Sequence, residues 1–214
     1  MPSYICYASI LHCRPLQCIR YFIVINIVVV YHSGYGHTQK QAEAVLLGLT
    51  QATGVNAILL AIDSEGNLSE EGWSLLAAAD TIIFGSPTYM GTVSWQFKKF
   101  ADATSKQWLK QEWKDKLVAG FTNSSGMNGD KLSTLHYMFT FAMQHSMIWV
   151  GTGIMPSSSK AAQRNDINYV DSFSGLMAQS PTDASIEEAP LPGDLETAKK
   201  FAERIVQVSA RWTN

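Results

Sequence analysis

Residues 23–38 read I-V-I-N-I-V-V-V-Y-H-S-G-Y-G-H-T, and this stretch gives the clearest indication of the fold class. The first nine residues, Ile23–Tyr31, are almost wholly apolar and mostly β-branched, which is typical of a strand buried on both faces of a parallel sheet. The turn that follows carries two glycines, and apolar residues at helical spacing then predict a helix over Thr38–Thr53. A strand, a glycine turn and a helix in this order indicate an α/β fold.

The same alternation continues along the chain. Parallel strands joined by helices need right-handed crossovers, so the pattern predicts a three-layer α/β sandwich with a five-stranded parallel sheet. Residues 153–192 hold four of the seven prolines and are expected to form a long loop. We expect strands at Ile23–Tyr31, Val55–Ile62, Thr81–Ser86, Lys116–Thr122 and Met147–Thr152, and helices at Thr38–Thr53, Ser69–Ala79, Val93–Lys106, Lys131–His145 and Asp194–Trp212.

The composition is that of an ordinary folded domain. The 214 residues carry a formal charge of −2 and are 46% hydrophobic, which excludes wholesale disorder and gives no net basic field for nucleic acid. All three cysteines fall within the first eighteen residues, so no disulfide framework is expected and a cytoplasmic protein is indicated. Residues 1–22 are interpreted as an extension outside a single domain spanning residues 23–214. The apolar stretch Tyr21–Tyr31 is too short to span a membrane, and the histidine spacing predicts no metal site.

Ligands of such folds bind beyond the carboxyl ends of the strands, where three loops are informative. The first loop reads S-G-Y-G-H-T, from Ser33 to Thr38. Its glycines let the backbone approach a ligand, and its hydroxyl groups and the helix start could hold a phosphate monoester. It matches neither the Walker loop nor the dinucleotide fingerprint. A plain glycine turn capped by serine is the alternative.

The second and third loops follow the third and fourth strands. G-S-P-T-Y-M-G, from Gly85 to Gly91, could form an aromatic shelf for a flat ligand, although a turn with a buried Tyr and Met is the simpler interpretation of this loop alone. T-N-S-S-G-M-N-G, from Thr122 to Gly129, could wrap a ribityl chain or a ring edge, or form solvated surface. All three loops belong to one edge of the predicted sheet, which favours a shared site.

Together the loops resemble those of the flavodoxin-like FMN proteins, above all the WrbA-type NAD(P)H:quinone oxidoreductases and related NAD(P)H-dependent FMN reductases. The first loop resembles the S-x-Y-G-H-[TI] phosphate signature of that family, and the second resembles its P-T-x-x-G turn. F-T-N-S-S-G resembles the F-[ST]-S-T-G loop with Asn123 as an extra residue, and H-S-M resembles H-G-M with Ser146 in place of glycine. The likeness covers about Ile25 to Val150.

The resemblance implies strand order 2-1-3-4-5, one FMN per subunit and a homodimer or homotetramer. It implies a substrate pocket formed by Tyr89, Trp108 and His145, with His145 approaching the flavin from the same or a neighbouring subunit. His145 is the candidate catalytic residue, since it could donate a proton to the quinone oxygen. The residues that it implies for cofactor binding are Ser33, Gly34, Tyr35, Gly36, His37, Thr38, Pro87, Thr88, Tyr89, Met90, Gly91, Thr122, Asn123, Ser124, Ser125 and Gly126.

The function that the resemblance implies is that of an FMN-dependent oxidoreductase. Hydride would pass from NAD(P)H to FMN and on to a quinone or another flat acceptor by a ping-pong mechanism. The alternative is a flavodoxin-type electron carrier without NAD(P)H turnover, and a third is an FMN-binding module without turnover. Carriers of this kind are typically acidic around the flavin, whereas this chain has a charge of only −2 and a run of lysines after the second loop. The composition therefore favours the enzyme.

Overall fold

The computed structural model describes residues 24–213, and the expectations for residues 1–22 lie outside the described residues. No helix within this part of the chain is long and apolar enough to cross a membrane. In chain order the elements are β1 (Ile25–Tyr31), α1 (His37–Thr50), β2 (Val55–Ala61), α2 (Glu70–Ala78), β3 (Thr81–Tyr89), β4 (Thr92–Val93), α3 (Trp95–Ala103), α4 (Ser105–Lys110), β5 (Leu117–Ser124), α5 (Lys131–Gln144), β6 (Ile148–Trp149), β7 (Leu176–Gln179) and α6 (Pro192–Trp212).

The sheet is parallel in the order β2-β1-β3-β5-β6, with β1 paired over its whole length to β2. Successive β1 side chains enter two different cores, which is the reason for the continuous apolar run. Ile27 and Val29 pack with α1 and α6, whereas Val28 and Val30 pack with α2, α3 and α5. The predicted three-layer fold and the strand order 2-1-3-4-5 are confirmed, with β5 and β6 as the fourth and fifth strands.

The predicted bounds of the fifth strand were wrong. Instead of one strand over Met147–Thr152, β6 pairs with the start of β5, and β7 pairs with its end. The chain leaves the sheet between them. The carbonyl oxygen of Phe173 lies 2.6 Å from where a Cβ on Gly151 would be, so this position requires glycine, and Gly153 turns with φ +60°. The predicted loop 153–192 therefore contains β7 as well.

The third strand continues further than expected. Residues Pro87 to Tyr89 extend β3, and Met90 and Gly91, with φ of 47° and 81°, form a tight turn into the antiparallel β4. The backbone of this turn suits a hairpin, since both central residues have positive φ. The predicted helix Val93–Lys106 consequently begins later, after Ser94, and divides at Thr104 into α3 and α4.

Candidate functional site

A cavity of about 630 Å³ opens at the carboxyl ends of β1, β3, β5 and β7. The three predicted loops meet there, and a fourth segment, residues 180–186, closes one side. Its lining, within the described residues, includes no Asp, Glu, Lys or Arg side chain. The lining residues are Tyr35, His37, Thr38, Pro87, Thr88, Tyr89, Asn123, Ser124, Ser125, Ser180, Pro181, Thr182, Ala184, Ser185 and Ile186.

The first loop is shaped to present backbone donors. The Ser33 Oγ accepts hydrogen bonds from the N–H groups of Gly36 (3.2 Å) and Gln39 (3.1 Å). Within residues 24–213, the N–H groups of Tyr35, His37 and Thr38 make no hydrogen bond. Free N–H groups at the start of a helix, where the helix dipole is positive, form a ready-made site for an anion.

Two glycines of this loop are required by close packing. A Cβ on Gly34 would collide with the hydroxyl group of Tyr89, and a Cβ on Gly36 would lie 2.7 Å from Cγ2 of Ile186. Gly36 also has φ +90°, which side chains rarely tolerate. The ring of Tyr35 meets that of Tyr89 edge-on, with centroids 6.1 Å apart. The first, second and fourth segments are thus in direct contact around the cavity.

Threonine hydroxyl groups hold the second and third loops together beneath the cavity. The Thr88 Oγ1 lies 2.8 Å from Oγ1 of Thr122 and 2.8 Å from Oγ1 of Thr134. Thr122 and Thr134 are buried, while Thr88 lines the cavity. The β3 end that carries Thr88 and Tyr89 is therefore fixed to β5 and α5. Burial raises the pKa of the Tyr89 hydroxyl, with Tyr35 adding to the effect, so Tyr89 is a neutral donor at physiological pH.

Asn123 presents an unpaired acceptor at this site. Its Nδ2 donates to Oγ of Ser180 at 2.9 Å, whereas its Oδ1 is buried and has no partner among the described residues. A buried acceptor left unpaired costs about 1–3 kcal/mol. Because Asn123 lines the cavity, a ligand N–H placed there would remove that cost.

The fourth segment, residues 180–186, was missed from the sequence. Two hydrogen bonds tie it to α1, and a third joins α1 to the following residue, Glu187. His37 Nε2 donates to the Ala184 carbonyl at 3.1 Å, and Lys40 Nζ donates to the carbonyl groups of Ile186 (2.5 Å) and Glu187 (3.0 Å). The available signal was the run L-M-A-Q-S-P-T over residues 176–182, a short alternating strand followed by turn residues, inside the stretch interpreted as a loop.

Nine of the sixteen residues predicted for cofactor binding line the cavity, and the other seven do not. Most of these seven shape or support the loops. Ser33, Gly34 and Gly36 build the first turn, Thr122 anchors Thr88, and Gly126 belongs to the third loop. Met90 and Gly91 form the hairpin tip, where Met90 is fully exposed to solvent.

Trp108 and His145, predicted for the substrate pocket, are not brought to the cavity of this chain. His145 comes just before Met147 and β6, which pairs with Leu117 at the start of β5. Trp108 lies near it, because Gln111 bonds both the Trp108 carbonyl and the Ser146 hydroxyl. Both therefore lie at the amino edge of the sheet. Six residues of β5 separate that edge from Asn123, a distance of about 20 Å.

His145 is a buried core residue in this structure, only 2% exposed. Its ring lies between Trp113, at a centroid distance of 4.5 Å, and Phe141, at 5.0 Å. Its Nε2 is 2.9 Å from Oγ1 of Thr104, which itself donates to a backbone carbonyl. Burial lowers the pKa of His145 to about 4, so the ring is neutral at pH 7. An approach to a cofactor from a neighbouring subunit stays a prediction and would require this packing to open.

Comparison with known proteins agrees with this architecture. The family model described as NADPH-dependent FMN reductase matches residues 38–162. Flavodoxin FldP of Pseudomonas aeruginosa is 50% identical over 181 residues, covering 85% of this chain and 95% of that protein. An NAD(P)H dehydrogenase (quinone) of Geobacter sulfurreducens is 29% identical over 204 residues, covering 87% of this chain and 98% of that protein.

Solved structures show the same relationship. The flavodoxin, WrbA-like protein from Agrobacterium tumefaciens superposes with a TM-score of 0.70 at 49% identity, covering 87% of this chain and 98% of that one. A flavodoxin from the domain Archaea, at 18% identity and a TM-score of 0.57, shares the fold. The chain therefore belongs to the NADPH-dependent FMN reductase family, as a WrbA-type member with the flavodoxin-like fold.

Proposed function

We propose that this chain binds FMN in the cavity at the carboxyl edge of the sheet and works as an NAD(P)H-dependent oxidoreductase on a quinone or another flat acceptor. The observation that carries the proposal is the convergence of four segments on one cavity whose lining residues offer both free backbone donors and an unpaired amide oxygen. Its volume lies within the range of about 300–1,000 Å³ that is usual for small-molecule sites.

The residues present fit the two ends of FMN. The free N–H groups of Tyr35, His37 and Thr38, with the Ser33 hydroxyl hydrogen, would hold the phosphate by neutral donors and the helix dipole. The ring system would lie along the Thr88–Tyr89 end of β3, and Asn123 would accept from a ring N–H. The third loop and residues 180–186 would close over the remaining polar groups.

When bound, FMN supplies hydride acceptance and donation, while the chain supplies binding, orientation and exclusion of water. The cavity supports a flat, apolar acceptor, because Tyr35 and Ile186, which line it, also expose large apolar surfaces to solvent. The absence of carboxylates from the described lining also favours an uncharged acceptor over a basic protein partner. The quinone dehydrogenase relatives and the family model support the same assignment.

An electron carrier without NAD(P)H turnover is the second candidate, and it is supported by the 50% identical relative whose name is flavodoxin. Anaerobic addition of NADPH, and separately of NADH, to the FMN-loaded protein separates the two. The enzyme requires rapid bleaching of the oxidised flavin band and its return on adding benzoquinone. Bound FMN that neither nucleotide bleaches, but that dithionite does bleach, would instead establish the carrier or a binding module without turnover.

We also propose that the protein is a cytoplasmic homodimer or homotetramer. Exposed apolar residues on one face of α5, namely Leu132, Phe139 and Met143, support self-association, and exposed His136 lies on the same face. Light scattering coupled to size-exclusion chromatography tests the assembly. A monomer at micromolar concentration would contradict it.

A further inference from the structure

Lys131, the first residue of α5, is fully buried, which is unusual for a lysine. Its Nζ donates to Oγ of Ser124 (3.0 Å) and to the carbonyl oxygens of Gly126 (2.7 Å) and Met127 (2.8 Å). These three bonds use every donor of the ammonium group. All three acceptors belong to residues 124–127, which we call the ring loop, and Ser124 lines the cavity.

Among residues 24–213, no carboxylate forms an ion pair with Lys131. The acidic group that influences it, Asp194, is already paired with Arg164 through two bonds of 2.8 and 2.6 Å. Asp194 therefore interacts with two cations, Arg164 in a direct ion pair and Lys131 without one. Burial lowers the pKa of Lys131 to about 8, so the group is mostly charged at pH 7.

We propose that Lys131 is a positioning residue for the cofactor: it holds the ring loop in its binding conformation, and its charge favours the reduced form of the bound cofactor. The inference rests on the proposed function. Reduction adds electrons to a ring held in a partly dehydrated cavity, where a fixed positive charge one hydrogen bond behind the lining stabilises the added negative charge. The same charge gives no comparable benefit to the neutral oxidised ring.

Lys116 offers a matched control at the opposite edge of the sheet, just before β5. Its Nζ also donates to three oxygens, the carbonyl groups of Leu76 (3.2 Å), Ala77 (2.6 Å) and Ala79 (2.6 Å), at the end of α2. Burial lowers its pKa as well. Because Lys116 lies at the amino edge, its loss removes the same kind of bonding far from the cavity.

The experiment compares Lys131→Met and Lys116→Met in the full chain. Thermal melting, the Kd for oxidised FMN and the midpoint potential of the bound flavin are measured for each. We expect a lower melting temperature in both variants. Only Lys131→Met should raise the Kd for oxidised FMN, by at least tenfold. Only that variant should also weaken binding of reduced FMN a further tenfold, which equals a fall of about 30 mV for a two-electron couple.

Unchanged Kd and potential in a folded Lys131→Met would overturn the inference, as would equal shifts in both variants. If Lys131→Met does not fold, Lys131→Gln decides, because glutamine keeps two donors for the ring loop but removes the charge. The inference then requires a lower potential in Lys131→Gln than in the wild type. A wild-type chain that binds no FMN would refute the proposed function itself.

Discussion

Protonation of His145 should destabilise the fold, because the ring is buried against Trp113 and Phe141 and no acid within the described residues 24–213 offsets the effect of burial. The pKa is about 4 in the folded chain against an ordinary value of 6.5. The folded pKa is depressed, so the unfolded chain binds the proton first as the pH falls. The stability contributed by neutral His145 is therefore present above pH 6.5 and is lost as the pH falls towards 4.

The magnitude follows from the size of this shift. At about 1.4 kcal/mol per pKa unit, complete loss corresponds to about 3 kcal/mol, and at pH 4.5 about 2.5 kcal/mol should be gone. His145→Phe removes the titrating group and keeps a ring of similar size between the two aromatic neighbours. Burial also lowers the pKa of His32, but that residue is present in both proteins and cancels in the comparison.

Urea unfolding at pH 7.5, 6.0, 5.0 and 4.5 measures the effect on both proteins. Relative to the wild type, His145→Phe should gain about 2.5 kcal/mol between pH 7.5 and 4.5. The control is the wild type, measured beside the variant at each pH. A constant difference between His145→Phe and the wild type across this range would refute the burial of a neutral His145.

Three further changes probe the site and its supports. Gly34→Ala places a Cβ against the Tyr89 hydroxyl and should raise the Kd for FMN at least tenfold, measured by quenching of flavin fluorescence. Arg164→Met leaves the buried carboxylate of Asp194 without its ion-pair partner and should lower the free energy of unfolding in urea by about 3 kcal/mol. Ser69→Ala removes the N-cap of α2 and should lower it by only about 1 kcal/mol.

The parts of the fold that follow from local pattern could be predicted from the sequence. The apolar run of β1 predicts a strand with two buried faces, and Ser69 predicts the start of α2; the structure confirms both. The split of the fifth strand could not be foreseen, since β6 has only two residues and its position depends on the contact between Gly151 and Phe173. Such a contact joins residues that are distant in the sequence.

The candidate site shows the same division. Loops that follow strands directly were identified, because the carboxyl ends of parallel strands share one edge. The burial of His145 and Lys131 could not be predicted, since a histidine before a strand and a lysine at a helix start are usually exposed or functional. Only the tertiary packing shows that Lys131 reaches three oxygens of the ring loop and that His145 is buried against Trp113 and Phe141.

Comparative titration of the cofactor-free protein with FMN and with riboflavin, which lacks the phosphate, tests the central claim most directly. The free N–H groups at the start of α1 should hold the phosphate, so FMN should bind one to one and at least a hundredfold more tightly than riboflavin. Equal affinity for the two flavins, or no binding of FMN, would contradict the assignment of this cavity.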